Sequence, residues 1–243
     1  MGSYGPADPE PSSPMRTILA FDTATEYCSA TFVCEGTVNA EVERLPRAHN
    51  KHLLAMIDRV LDGTPLDGVD VIACGIGPGS FTGLRIAVSV AQGLAWSREI
   101  PLQPFCSLEA QLRAAVAADL VPTSGRVLST LDAQIGQLYW RWFEYGESHF
   151  SPMGPPQLSA ADAVSFPNEP TAIIGNGIHL LDVLVGFSDI PRVGEVELCT
   201  APMARHLAQS PESTMTLKAG DLMPRYVQDT VGWKKLTEQG SRD

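Results

Sequence analysis

The sequence predicts an α/β protein of two related half-domains, each with a central mixed sheet flanked by helices. Three observations predict it. A unit of apolar strand, terminal aspartate, short turn and second strand occurs twice, at Asp22 and Asp132, about 110 residues apart. Three strand patterns in hairpin order open the chain, which makes an antiparallel meander. Buried strands followed by helical patterns come after it, so the sheets are not purely antiparallel.

Each element has its own signal. TILAF (Thr17 to Phe21) is an apolar run ending at Asp22 and reads as a buried strand. In CSATFVC, Cys28, Ala30, Phe32 and Cys34 share one face, with Ser29, Thr31 and Val33 on the other. The cysteines there read as small core hydrophobes. Glu35-Gly36 turns the chain into a third strand, Thr37 to Arg44. Leu53, Leu54, Met56, Ile57, Val60 and Leu61 then recur at helical spacing, and Gly63 and Pro65 stop that helix. Val69 to Ile76 is a fourth, buried strand. GIGPGSFTGLR (75–85) follows it and opens a second helix running to about Ser97. Pro101 and Pro104 mark a boundary. The second half begins with a helix from Ser107 to about Ala118. After Asp132, Leu138, Trp140 and Trp142 alternate with Tyr139, Arg141 and Phe143 in a strand. The Pro- and Gly-rich stretch Ser151 to Pro156 reads as a loop, Thr171 to Gly175 as a strand and Ala201 to Gln209 as a helix. The expected divisions are a disordered leader at 1–14, half-domains at 15–103 and 104–232, and a tail at 233–243.

Composition bounds the function. The chain has 243 residues, 44% hydrophobic and 19% charged, as in ordinary globular proteins. A formal net charge of −11 repels a phosphate backbone and disfavours direct nucleic-acid binding. Five cysteines, none in C-x-x-C spacing, argue against a zinc site or a disulfide framework and for a reducing compartment, the cytoplasm. No apolar stretch has the length of a membrane span. The Pro-rich first 14 residues lack the apolar core of a secretory signal, which makes Met15 the expected natural start.

The loop at 75–85 has two readings. Gly77 and Gly79 permit backbone angles that a Cβ forbids, Pro78 fixes a turn position, and Ser80 or Thr82 can cap the next helix. A helix N-terminus is also an anion site, and Arg85 lies close to it. Gly79, Ser80, Thr82 and Arg85 are therefore the candidates for holding an anion. The loop has neither the Gly-Lys-Ser/Thr ending nor the G-x-G-x-x-G form of known phosphate loops, so spacing favours a structural turn. In the helix behind it, Gly83, Ala87, Ala91 and Ala95 make a ridge of small residues that admits close packing. That helix is apolar nearly all round, so a neighbouring helix or a partner protein must cover the side its own sheet does not.

GIGPGSFTGLRIA, together with ILAFDTATEYCSATF, resembles the bacterial TsaB family, older name YeaZ. HNKHLLAMI, LDAQIGQLYW and MPRYVQD extend the resemblance from about Met15 to Glu238. Ala87 and Gln134 depart from the family pattern, where a glycine and an arginine are usual. The resemblance implies an actin-like ATPase (ribonuclease H-like) fold. It also implies a non-catalytic subunit supporting threonylcarbamoylation of adenosine 37 in tRNA. In that role it would bind the catalytic TsaD subunit together with TsaE, pair with itself in isolation, and meet tRNA only through the complex. ATP would be handled by the partners, with a nucleotide conceivable where the three subunits meet, so no cofactor of its own is expected.

The implied contact is a four-helix arrangement through the two apolar helices. It assigns His52, Leu53, Met56, Ile57, Val60, Gly83, Ala87, Val90, Ala91 and Leu94 to a partner interface. DTATEY and DAQIGQ lack the Gly-rich turn that a phosphate would need, and GNG (175–177) is the only candidate adenosine loop. His49 and His52 lie three apart at a helix start, but no third ligand has matching spacing, so they read as surface or partner-facing residues. Two other functions stay open. One is an actin-like small-molecule kinase or ATPase, which Asp22→Ala would disable; the other is a metallopeptidase.

Overall fold

The computed structural model describes residues 15–134, 136–147, 149–182, 189–210 and 216–227. The leader at 1–14 and the tail at 233–243 lie outside the described residues. The first sheet is built from β1 (Ile18–Asp22), β2 (Tyr27–Cys34), β3 (Thr37–Arg44), β4 (Val71–Gly75) and β5 (Leu102–Phe105), in the order β3-β2-β1-β4-β5. β1, β2 and β3 form the antiparallel meander, while β4 and β5 run parallel to β1. The second sheet contains β6 (Gly125–Gln134), β7 (Gln137–Gly146), β8 (His149–Ala160), β9 (Ala172–Ile174) and β10 (Arg192–Val193). Its order, β10-β9-β6-β7-β8, and its strand directions repeat those of the first.

The helices are α1 (His49–Leu61), α2 (Phe81–Arg98), α3 (Ser107–Ala117), α4 (Ile178–Leu181) and α5 (Ala201–Gln209). α1 lies over β2 and β3, and α2 beside it over β4 and β5, so both cover one face of the first sheet. Leu53, Met56, Ile57 and Val60 of α1 meet Ala87, Val88 and Ala91 of α2 and the sheet residues Cys28, Ala30, Phe32, Ile72 and Cys74 in one core. α5 covers the opposite face through Met203, Ala204, Leu207 and Ala208 against Ile18, Ala20 and Val33. α3 packs beside α5 and against β6, so these two helices form the layer between the sheets.

One sequence reading is corrected. Ser151 to Pro156 is not a loop; it lies within β8. Proline is tolerated there because β8 is an edge strand. The pairing also shifts between Trp140↔Gln157 and Trp142↔Met153, which takes 154–156 out of the ladder, and Arg141 Nε donates to the Gly154 carbonyl at 2.7 Å. Pro101 precedes strand β5 and Pro104 lies within it, again at an edge of the sheet.

The last described segment returns to the first sheet. Leu217 and Leu102 exchange backbone hydrogen bonds, and Leu222 is fully buried in the core with α2.

Candidate functional site

The two aspartates hold the same turn. The Ala24 N–H donates to Asp22 Oδ1 at 2.6 Å, and the Gln134 N–H donates to Asp132 Oδ1 at 2.6 Å. Asp22 is fully buried, and its second oxygen accepts from the Ser107 hydroxyl at the start of α3 at 2.6 Å. Burial pushes its carboxyl above the usual range, against the pull of these two hydrogen bonds. Asp132 is half-buried; its N–H donates to Asn176 Oδ1, and its Oδ2 lies 3.6 Å from His179 Nε2.

The glycine loop is zipped to the Asp22 turn. The Ser80 N–H donates to the Ala24 carbonyl at 2.7 Å, and the Thr23 hydroxyl donates to the Gly83 carbonyl at 2.7 Å. Gly79 has φ +154° and lies so close to Ala24 that a Cβ would collide with its carbonyl. Ser80 caps α2, its hydroxyl accepting from the Gly83 N–H at 3.2 Å. Of the anion candidates, Gly79 and Ser80 thus hold the loop to the hairpin, while Thr82 and Arg85 are exposed on α2. At GNG, Gly175 has φ +97° and passes against the Thr130 carbonyl, and α4 after it has only four residues.

The histidine pair separates. His49 is buried rather than on the surface, and burial lowers its pKa. His52 is half-exposed and faces Glu43 of its own β3 at 3.7 Å. Among the described residues no three His, Cys, Asp or Glu side chains converge as metal ligands.

The structure divides the interface candidates by face. Leu53, Met56, Ile57, Val60, Gly83, Ala87 and Ala91 are buried in the chain's own core, and of these Leu53 also lines the groove between α1 and α2. The small-residue ridge faces inward, and Gly83 sits so close to the Thr23 carbonyl that a Cβ would collide with it. His52, Val90 and Leu94 are partly exposed. The outer face consists of other residues: Leu54 is 58% exposed and Phe81 54%. With Asn50, Leu53, Thr82, Arg85, Ile86, Ser89 and Val90 they line a groove of about 450 Å³ between α1 and α2. Trp96, 78% exposed, extends α2's exposed surface towards its C-terminus. Leu54 reads in the sequence as one more member of the apolar helical pattern with Leu53, Met56, Ile57 and Val60, and its exposure was not legible there. Nor was that of Phe81, because its exposure depends on where the loop sets the helix start.

Two sheets of identical strand order, with paired aspartate turns at equivalent strand ends, define a two-lobed α/β protein of the actin-like, ribonuclease H-like class. A family profile described as "TsaD: tRNA N6-adenosine threonylcarbamoyltransferase" matches residues 42–197. The "tRNA threonylcarbamoyladenosine biosynthesis protein TsaB" of Escherichia coli (strain K12) is 33% identical over 229 residues, covering 90% of this chain and 97% of that protein. Its namesake from Haemophilus influenzae is 30% identical over 232 residues, with the same coverage of each chain. The structure of YeaZ from Pseudomonas aeruginosa superposes with a TM-score of 0.78 at 27% identity, over 88% of this chain and 100% of that one. The chain belongs to the TsaB (YeaZ) family.

Proposed function

We propose that this chain is a partner subunit, without chemistry of its own, in the formation of threonylcarbamoyladenosine at position 37 of tRNA. Its α1–α2 outer face docks on the catalytic TsaD subunit, TsaE joins that assembly, and ATP is handled by the partners. Without TsaD, the same face pairs two copies of this chain. The whole assembly works in the cytoplasm, and tRNA reaches this chain only through the complex. The observation that carries the reading is the groove between α1 and α2, where Leu54 and Phe81 leave apolar surface in water. The relatives' naming for threonylcarbamoyladenosine biosynthesis supplies the pathway. The engagement of both Asp22 oxygens by Ala24 and Ser107 supports a structural rather than a catalytic carboxylate.

The test is co-purification with TsaD and TsaE of the same organism, with and without ATP, alongside a reconstituted tRNA modification assay. Leu54→Asp and Ile86→Asp each place a charge on the groove. Each variant should stay folded, lose TsaD by a hundredfold or more (about 2.7 kcal/mol) and lose modification. Wild-type TsaD binding by both variants would sink the docking reading. Phosphate release by the isolated chain that Asp22→Ala abolishes would establish the ATPase reading instead.

A further inference from the structure

The charge on the docking face differs from that of the molecule. α1 and α2 carry four cations, Lys51, Arg59, Arg85 and Arg98, and one carboxylate, Asp58, in a chain whose formal net charge is −11. Arg59 is bound to Glu41 and Glu43 of β3, and Arg98 to Asp67. Lys51 and Arg85 are exposed and have no carboxylate partner among the described residues.

Arg85 is held in position. Its guanidinium carbon lies 3.8 Å from the centre of the Phe81 ring, and its Nε donates to the Tyr226 hydroxyl at 3.0 Å. Phe81 and Tyr226 are themselves 5.1 Å apart, centre to centre. Tyr226 is fixed by its own segment, where the Arg225 N–H donates to the Ile76 carbonyl and Gln92 Nε2 to the Leu222 carbonyl. Nε is thus engaged, while the two terminal guanidinium nitrogens carry no hydrogen bond among the described residues and stand at the groove. Two parallel N–H donors on a fixed plane match a carboxylate.

We infer that Arg85 is a specificity-determining residue of the docking face. It receives a carboxylate from the partner, whose contacting surface is apolar with an acidic rim. This rests on the docking reading above. A second copy of this chain fits the face less well, because a two-fold contact sets the same cation-bearing patch against itself.

The experiment measures association with TsaD of the same organism, and self-association of the chain alone, across NaCl from about 0.05 to about 0.5 M. Association with TsaD should weaken with salt, and self-association should not. Arg85→Gln should weaken TsaD binding at least tenfold (about 1.4 kcal/mol) and flatten its salt dependence, whereas Arg85→Lys should keep most of the affinity. If Arg85→Gln binds like wild type while Leu54→Asp does not, the carboxylate inference is wrong and the docking reading stands. If both bind like wild type, the docking reading itself has failed. Should Arg85→Gln melt well below wild type, the wild-type salt series and Arg85→Lys decide; salt-insensitive wild-type association would overturn the inference.

Discussion

Asp22 sits at the junction of the β1–β2 turn, the β4 terminus and α3, and its charge has no access to water. Because burial raises its pKa, the folded state holds the proton more tightly than the unfolded chain. The sign of the pH dependence follows. Its contribution to stability is complete below the unfolded carboxylate pKa and is lost as pH rises through the raised folded value. Asp22→Asn does not titrate and can still accept from the Ala24 N–H. The stability of wild type relative to Asp22→Asn should therefore fall as pH rises through that window, in denaturation series run at several pH values. A difference that grows with pH would mean that the hydrogen bonds outweigh burial. Asp22→Asn should also leave tRNA modification nearly intact in the reconstituted system. A hundredfold loss in a folded variant (about 2.7 kcal/mol in barrier) would make Asp22 a working carboxylate. Gly79 is constrained differently, by φ +154° and by the Ala24 carbonyl. Gly79→Val should cost about 2 kcal/mol or more, read as a lowered denaturation midpoint. A wild-type melt with weakened TsaD binding would assign the loop to the contact surface.

At the scale of elements, α2 shows how one helix serves two surfaces. Its small residues allow it to lie close on β4 and the Asp22 turn, while Phe81, Ile86, Val90 and Trp96 retain exposed surface. Substitutions should sort by face. Ala87→Glu or Ala91→Glu buries an unpartnered charge in the sheet-facing core and should cost several kcal/mol, so neither should purify as a folded monomer. Leu54→Asp and Ile86→Asp should change stability by about 1 kcal/mol or less. Circular dichroism melts of the four variants make the comparison. A well-folded Ala91→Glu would mean that the ridge does not face the sheet in solution.

Across the whole molecule, the chain's last described segment ties the docking layer to the core. Leu222 fills the space under α2, and Tyr226 orients Arg85 four residues later. Leu222→Ala should cost about 2–5 kcal/mol as a core cavity, measured by urea denaturation. Tyr226→Phe should leave stability within about 1 kcal/mol but weaken TsaD binding, because only the orientation of Arg85 changes. Equal binding by Tyr226→Phe would show that the Phe81 ring alone suffices to hold the guanidinium. The two lobes also touch through Tyr27, whose hydroxyl donates to Glu195 at 2.6 Å.

The meander, the two aspartate turns and the helices α1, α2, α3 and α5 were legible in the sequence, since each rests on local periodicity and turn residues, with a side-chain cap at α2, that neighbouring residues alone dictate. Edge strands β5 and β8 were not, because their prolines read as breakers until a partner strand shows that the lost donor faces outward. The sequence also identified α2 as a helix with apolar residues on more than one side. It could not tell which apolar residues face the sheet and which face water. Leu53 and Leu54 are adjacent and chemically identical, yet one is buried and the other exposed. That difference is set by the rotation of each helix on its sheet. In α2 the rotation is fixed by the contact of Gly83 with Thr23, a pairing across 60 residues that no local pattern encodes.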